Sequence, residues 1–295
     1  MLRPTARRQS QLTCLMALPR GGARAVLRRF MATNAEKGGI QDTAAYCSDV
    51  VRKRDYESFL ISHFWPRELR EHFIALRAFY VELASVQEAV SNITLGKMRM
   101  QFWRDAVKDI ADGRPPRHPT ALALVRACQA ANLQTYHLKR IIDARDAELD
   151  TPTHMSLDSL TSHAEATSST FLYLQLSLLS LSASSSLSHA ASHLGVAQGI
   201  TTLLRALPYH ASQGRMMIPA EITARHGVSQ EEVFRKGGQA SGIEDAVFEF
   251  ATVPTRLYLE RLEAANFDVF DPSLQVRGWQ LPWRIWRSYY YKGQF

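Results

Sequence analysis

Cysteine is nearly absent from this chain, with three in 295 residues: Cys14, Cys47 and Cys128. They make no C-x-x-C pair and no closely spaced even-numbered set, which excludes a disulfide scaffold and a thiolate metal site. No uninterrupted apolar run reaches 18 residues, so a simple membrane-spanning helix is excluded as well. The nearest approach is 166–204, which holds no Lys, Arg, Asp or Glu. Ten Ser between Ser168 and Ser192, together with Gln175, His189 and His193, interrupt it. Two buried helices joined through "SLSASSSLS" account for this stretch. A Gly-rich phosphate loop, a G-x-S-x-G elbow and a Cys-His pair near a turn are missing too, and common nucleotide chemistry is not indicated.

Acidic residues are missing from the first 35 positions, where seven Arg lie. A stretch that is Arg-rich, acid-free and mildly amphipathic has the composition of a mitochondrial transit peptide, expected over 1–37 with cleavage between Arg29 and Lys37. The formal charge of +7 traces to this stretch, because setting its seven Arg aside leaves 28 basic residues against 28 acidic ones. Bulk charge therefore gives no argument for nucleic-acid binding by the folded part.

What is present is helical pattern with few breaks. "AAYCSDVVRKRDYESFLISHFW" leads to Pro66, which opens "PRELREHFIALRAFYVELASVQEAV" as a first-turn proline with acids close behind. "LGKMRMQFWRDAVKDIADG" stops at Gly113, ahead of Pro115 and Pro116. Further helices are expected at 119–132, 134–149, 156–182, 186–207 and 243–265. No run alternates with period two long enough for a strand, so the fold class is all-α. One helical domain over 43–267 is the economical reading. The segment 268–295 differs in kind: Trp279, Trp283 and Trp286 with neighbouring Tyr and basic residues suit an arm packed on the bundle or a membrane contact.

Two smaller constellations carry less. His189 and His193 in "HAASH" share a helix face, but no Glu lies between them and no third ligand is suggested, so zinc is disfavoured. In "MRMQFWRD", Met98, Phe102 and Trp103 alternate with Arg99 and Arg104 in a way that fits a core stripe with a solvated edge better than nucleic-acid binding.

The segments "YESFLISHFWPRELREHFIALRAFYVELASVQE" and "LGVAQGITTLLRALPYHASQGRMMIPAEITARHGVS" resemble the squalene/phytoene synthase family of head-to-head prenyl transferases. That resemblance implies its helical bundle fold. The enzymes carry a pair of Asp four residues apart on each of two facing helices. Residues i and i+4 share one helix face, so four carboxylates point at magnesium ions that clamp the substrate diphosphate. Here the first pair falls on Ala84 and Glu88, with Ser85 where a further Asp commonly sits. The second falls on Ala206 and His210, with Tyr209 at a usually acidic position, Thr202 in place of Asn and Gly199 in place of Gln. Glu82 is no substitute, because six residues turn it about 240° away from Glu88. The ionisation step is expected to be lost. Arg205 and Arg215 stand where the family keeps basic residues near phosphate, and Arg52, Arg54 and Tyr56 lie on the corresponding entry helix; these five are candidates for residual anion binding or for structural ion pairs.

The strings "ALRAFYVELASVQEAVSNITLGKMRMQFWRDAV", "HAASHLGVAQGITTLLRALPYH", "GVSQEEVFR" and "LPWRIWRSYYY" are similar to a narrower group, the mitochondrial NADH dehydrogenase (ubiquinone) complex I assembly factor 6 family. This likeness implies a matrix protein associated with the inner membrane that helps build the membrane arm of complex I at an early stage. Its expected partners are complex I subunits or other assembly factors, with no nucleic acid, no cofactor, no metal and no catalytic set. A prenyl-diphosphate transferase with a remodelled pocket and a prenyl-lipid carrier are the alternatives.

Overall fold

The computed structural model describes residues 43–90 and 92–250, and among these all regular structure is helical. Helix α1 covers 43–54 and α2 covers Tyr56–Ser62. Asp55 separates the two by accepting a hydrogen bond from the Ser58 backbone N–H at 3.1 Å as the N-cap of α2. Then follow α3 (Arg67–Ala84), α4 (Val86–Ala89), α5 (Ile93–Ala111), α6 (Pro119–Ala131) and α7 (Thr135–Asp150). Pro66 and Pro119 open α3 and α6, and Gly113, with φ of 72°, supports the turn after α5.

The helix expected over 156–182 forms over 157–178 without a gap, with a π-helical stretch in its middle. α8 (Leu157–Ala164) runs into a π-helical segment, Glu165–Ser169, and continues as α9 (Thr170–Leu178). The Thr170 hydroxyl donates to the Glu165 carbonyl five residues back, at 3.0 Å, matching the wider turn. α10 (Ser185–Ser212) is longer than the expected 186–207 because it passes through Pro208. The lost backbone bond is tolerated where Leu204, Leu207 and Ala211 are all buried, so packing holds the helix together across the proline. Short helices α11 (Ala220–Arg225), α12 (Gln230–Lys236) and α13 (Ile243–Phe250) follow. The expected transit peptide and the arm with Trp279, Trp283 and Trp286 lie outside the described residues.

Among the described residues two apolar clusters form the core. One joins α1, α3, α5, α6, α7 and α9 around Leu76, Phe79, Met100, Trp103, Ile141 and Leu174. The other joins α8 and α10 to the C-terminal helices through Leu160, Ile200, Leu204, Ile222 and Phe250. α10 lies close against the π segment: a Cβ on Gly195 would meet backbone atoms of Ser169 well inside 3.0 Å, and one on Gly199 would meet Ala164. The Ser169 hydroxyl donates to the Ser192 carbonyl at 2.7 Å across the same contact. Among the described residues no helix is long and apolar enough to cross a membrane.

Candidate functional site

The C-terminal end of α3 with α4 presents Ala84, Ser85 and Glu88, and the last turns of α10 present Thr202, Ala206, Tyr209 and His210. Ala84, Ser85, Ala206 and His210 are half-buried, while Glu88, Thr202 and Tyr209 are exposed. The Ser85 hydroxyl turns back to donate to the Val81 carbonyl at 2.6 Å, which bends the chain between α3 and α4. Thr202 similarly donates to the Gln198 carbonyl at 2.8 Å. Burial holds His210 below the ordinary imidazole range, with Glu88 opposing the shift and Arg215 adding to it, so these three side chains share one electrostatic environment. Nδ1 of His210 is buried without a hydrogen-bond partner. The Tyr209 ring lies edge-on to His210 at 5.4 Å.

Glu82 lies on the other side, as its angular offset requires. Its carboxylate accepts from the Thr120 hydroxyl at 2.7 Å, and its Oε2 is 3.9 Å from His118. Burial raises its pKa despite Thr120 and His118, which act in the opposite direction.

Two of the candidate anion-binding residues make ion pairs with the protein's own carboxylates. Arg52 pairs with Asp49 in its own helix at 2.9 Å, and Arg205 pairs with Glu57 of α2 at 2.7 Å. Arg54 is exposed, and the Tyr56 ring stacks on Phe59 at 6.2 Å. His189 and His193 are exposed with rings 4.7 Å apart, and among the described residues no three His, Cys, Asp or Glu gather as a metal ion requires. In α5, Met100 and Trp103 are buried while Met98 and Phe102 are exposed, and Arg104 is held by Asp143 and Asp146 of α7 at 2.9 and 2.8 Å.

The strongest polar feature is one that sequence reasoning missed. Arg77 of α3 forms an ion pair with Asp55 and lies over the rings of Tyr80 and Phe171, 5.1 and 5.0 Å from their centroids. Arg145 of α7 donates to Glu148 at 2.8 Å and to the Tyr80 hydroxyl at 3.3 Å, with its guanidinium carbon 5.5 Å from the same ring centroid. The Tyr80 hydroxyl also lies 3.2 Å from Ser168 Oγ in the π segment. His163 Nε2 sits 3.7 Å from Glu148, and its ring centroid is 5.2 Å from that of His154.

Burial alone would raise the Glu148 carboxyl, but Arg145 and His163 reverse that, and the group is held below the usual carboxylate range. Burial depresses His163 to about 4, against the opposing pull of Glu148, so the imidazole is neutral at physiological pH. Arginine and carboxylate are thus paired one to one inside the bundle: Arg77 with Asp55, and Arg145 with Glu148. A sequence signal existed for Arg145. It lies seven residues after Leu138, four after Ile141 and three after Ile142, all buried, which puts a charge on the apolar stripe of α7.

A helical bundle with this chain path defines a class. The squalene/phytoene synthase family model matches residues 51–258, and the crystal structure of a squalene synthase from Alicyclobacillus acidocaldarius superposes with a TM-score of 0.65. That likeness covers 85% of this chain and 95% of the other at 16% identity, which speaks to the fold. Within this superfamily the chain belongs to the NADH dehydrogenase (ubiquinone) complex I, assembly factor 6 family. It is 40% identical to the rat protein of that name, over 92% of this chain and 90% of the relative. The mouse protein is 39% identical, over 90% and 88% of the two chains.

Proposed function

We propose that this chain is a mitochondrial assembly factor for respiratory complex I, acting early in building the membrane arm through protein contacts and without prenyl transfer. The observation that carries the proposal is the paired interior. On α3 and α7 the interior arginines are already matched by the protein's own carboxylates, Arg77 by Asp55 and Arg145 by Glu148, and the α3 and α10 positions that resemble the synthase metal motifs are Ala84 and Ala206. A trianionic diphosphate held without magnesium would need unpaired cations, and one held through magnesium would need a set of oxygen ligands. The site offers Glu88 beside His210 for that task.

The same reading makes residues 1–37 a cleaved presequence, places the protein on the matrix side of the inner membrane, and gives the aromatic arm a role in peripheral attachment. Its named partners are complex I subunits or fellow assembly factors. The test has two arms. In mitochondria lacking the endogenous assembly factor 6, expression of this chain restores mature complex I on native gels. Purified protein mixed with farnesyl diphosphate and magnesium releases no pyrophosphate. Release at a steady turnover would overturn the non-catalytic reading and make the protein a transferase with a remodelled pocket.

A further inference from the structure

The α6–α7 and α9–α10 connections lie at one end of the bundle. Tyr173 of α9 packs on His137, the third residue of α7, with ring centroids 5.9 Å apart. From Tyr173 the helix runs on to Leu178, about 7 Å further, so the α9–α10 connection projects past the start of α7. Both connections lack formal charge, since residues 127–138 and 166–204 hold no Lys, Arg, Asp or Glu. Burial pushes His137 below the ordinary imidazole range, with Arg140 adding to the shift, so this ring is uncharged at neutral pH as well.

The surface there is apolar. Tyr136 is 65% exposed, Leu181 42%, Leu187 40% and Leu179 37%, and Leu194, about two turns beyond Leu187 on α10, is 54% exposed. A water-facing helix end ordinarily carries charge, so these side chains in an uncharged setting mark a contact surface. The backbone is also prepared to leave water. Ser180, with φ of 58°, turns the chain; the Leu181 N–H then donates to the Leu176 carbonyl at 2.8 Å and the Ser184 N–H to the Leu181 carbonyl at 3.2 Å. Ser184 Oγ accepts from the Leu187 N–H at 3.4 Å, and the Ser177 hydroxyl donates to the Tyr173 carbonyl at 3.0 Å. Polar groups bonded within the connection cost little to desolvate.

We propose that this end of the bundle is a membrane-contact surface that seats Leu179, Leu181 and Leu187 at the boundary between headgroups and acyl chains of a bilayer, without spanning it. Shape and charge favour a bilayer over a protein groove. The tip projects and has no charge of its own with which to select a partner. Lys139 and Arg140 lie three and four residues after Tyr136, on the same face of α7 and one turn further from the tip, and make no salt bridge among the described residues. Cations at that depth meet anionic headgroups, with the Tyr136 ring at the interface. The surface rests on the peripheral attachment proposed above and gives it a place within the helical bundle, apart from the aromatic arm.

The experiment sediments the purified full chain with phosphatidylcholine vesicles containing about 20 mol% phosphatidylglycerol and measures the bound fraction. L181E/L187E charges the tip, and S182E/A183E does so without touching a leucine, which keeps the test open if the first variant does not fold. L95E/M98E makes the same charge change on exposed residues of α5 as a control. Helical content and melting temperature are checked for each. The expected result is about tenfold or greater weakening of vesicle binding in the tip variants, with the control equal to the parent. A parent that stays in the supernatant would remove the attachment reading and this surface with it. A parent that binds, alongside folded tip variants that bind equally, would overturn the surface alone and leave attachment to the aromatic arm. Equal weakening by the α5 control would also overturn it. Vesicle binding that survives in the tip variants while mature complex I is lost on native gels would make the tip a protein contact instead.

Discussion

Replacing Gly195 with Ala sets two physical effects against each other. On helix propensity alone, alanine inside α10 gains about 1 kcal/mol over glycine. The packing says the reverse. The new Cβ would sit well inside 3.0 Å of the Ser169 Cα, N and Oγ, and two of these are backbone atoms that cannot rotate away. Relief requires α10 to move off the π segment. Overpacking of this kind costs up to about 3 kcal/mol, and the strained Ser169–Ser192 hydrogen bond adds about 1 kcal/mol. After the propensity gain is set against these, the net destabilisation is about 3 kcal/mol, a fall of roughly 6–10 °C in melting temperature for a chain of this size. Urea denaturation followed by circular dichroism measures it. G199A is the internal control, because its Cβ would meet only side-chain atoms of Ala164 and Ser168 at 3.0–3.3 Å and the Ala164 Cα at 3.7 Å, so its loss is smaller. A G195A protein as stable as the parent would show that α10 does not seat on Ser169, and the placement of the site helices would fail with it.

Acid sensitivity should centre on His163. Its folded pKa of about 4 lies below the ordinary value of 6.5, so the unfolded chain binds the extra proton and stability falls as pH drops through that interval. From pH 7.5 to 5 this amounts to about 2 kcal/mol, and urea midpoints of H163Q should lose about that much less than the parent; parallel slopes would refute the assignment. Replacing Arg145 with Met leaves the Glu148 carboxylate buried and unmatched, at a cost of about 3 kcal/mol, while R145M/E148M recovers at least half of it. A double variant no more stable than R145M would mean the pair contributes little to holding the interior.

The bundle was readable because its signals are local. Pro66 and Pro119 start helices, Gly113 ends one, and the apolar stripes of α3, α5 and α7 recur at helical spacing. The relation of Glu82 to Glu88 was also legible, since it follows from helix geometry alone, and the two carboxylates do face different neighbours. The continuation of α10 past Pro208 was not, because burial of residues on both sides of the proline outweighs its local preference, and that burial depends on partners distant in sequence. The interior ion pairs escaped for the same reason. Asp55 and Arg77 are 22 residues apart, and Tyr80 meets Ser168 across 88. No short window contains both members, although Arg145 on an apolar stripe advertised that a partner was needed.

The π segment Glu165–Ser169 also works as a phase adjustment. An extra residue in one turn rotates everything beyond it by about 100° relative to what precedes it. Deleting one residue there would restore a regular helix and swing Phe171, Leu174 and Leu178 away from the face they now present, while Leu160 and Ala164 stayed where they are. Phe171 is one of the two rings beneath Arg77, so the aromatic support of that guanidinium depends on the chain being one residue longer than a regular helix requires. Within this stretch, a single-residue deletion is a stronger perturbation than most substitutions, even though it removes no group that bonds to the interior pairs.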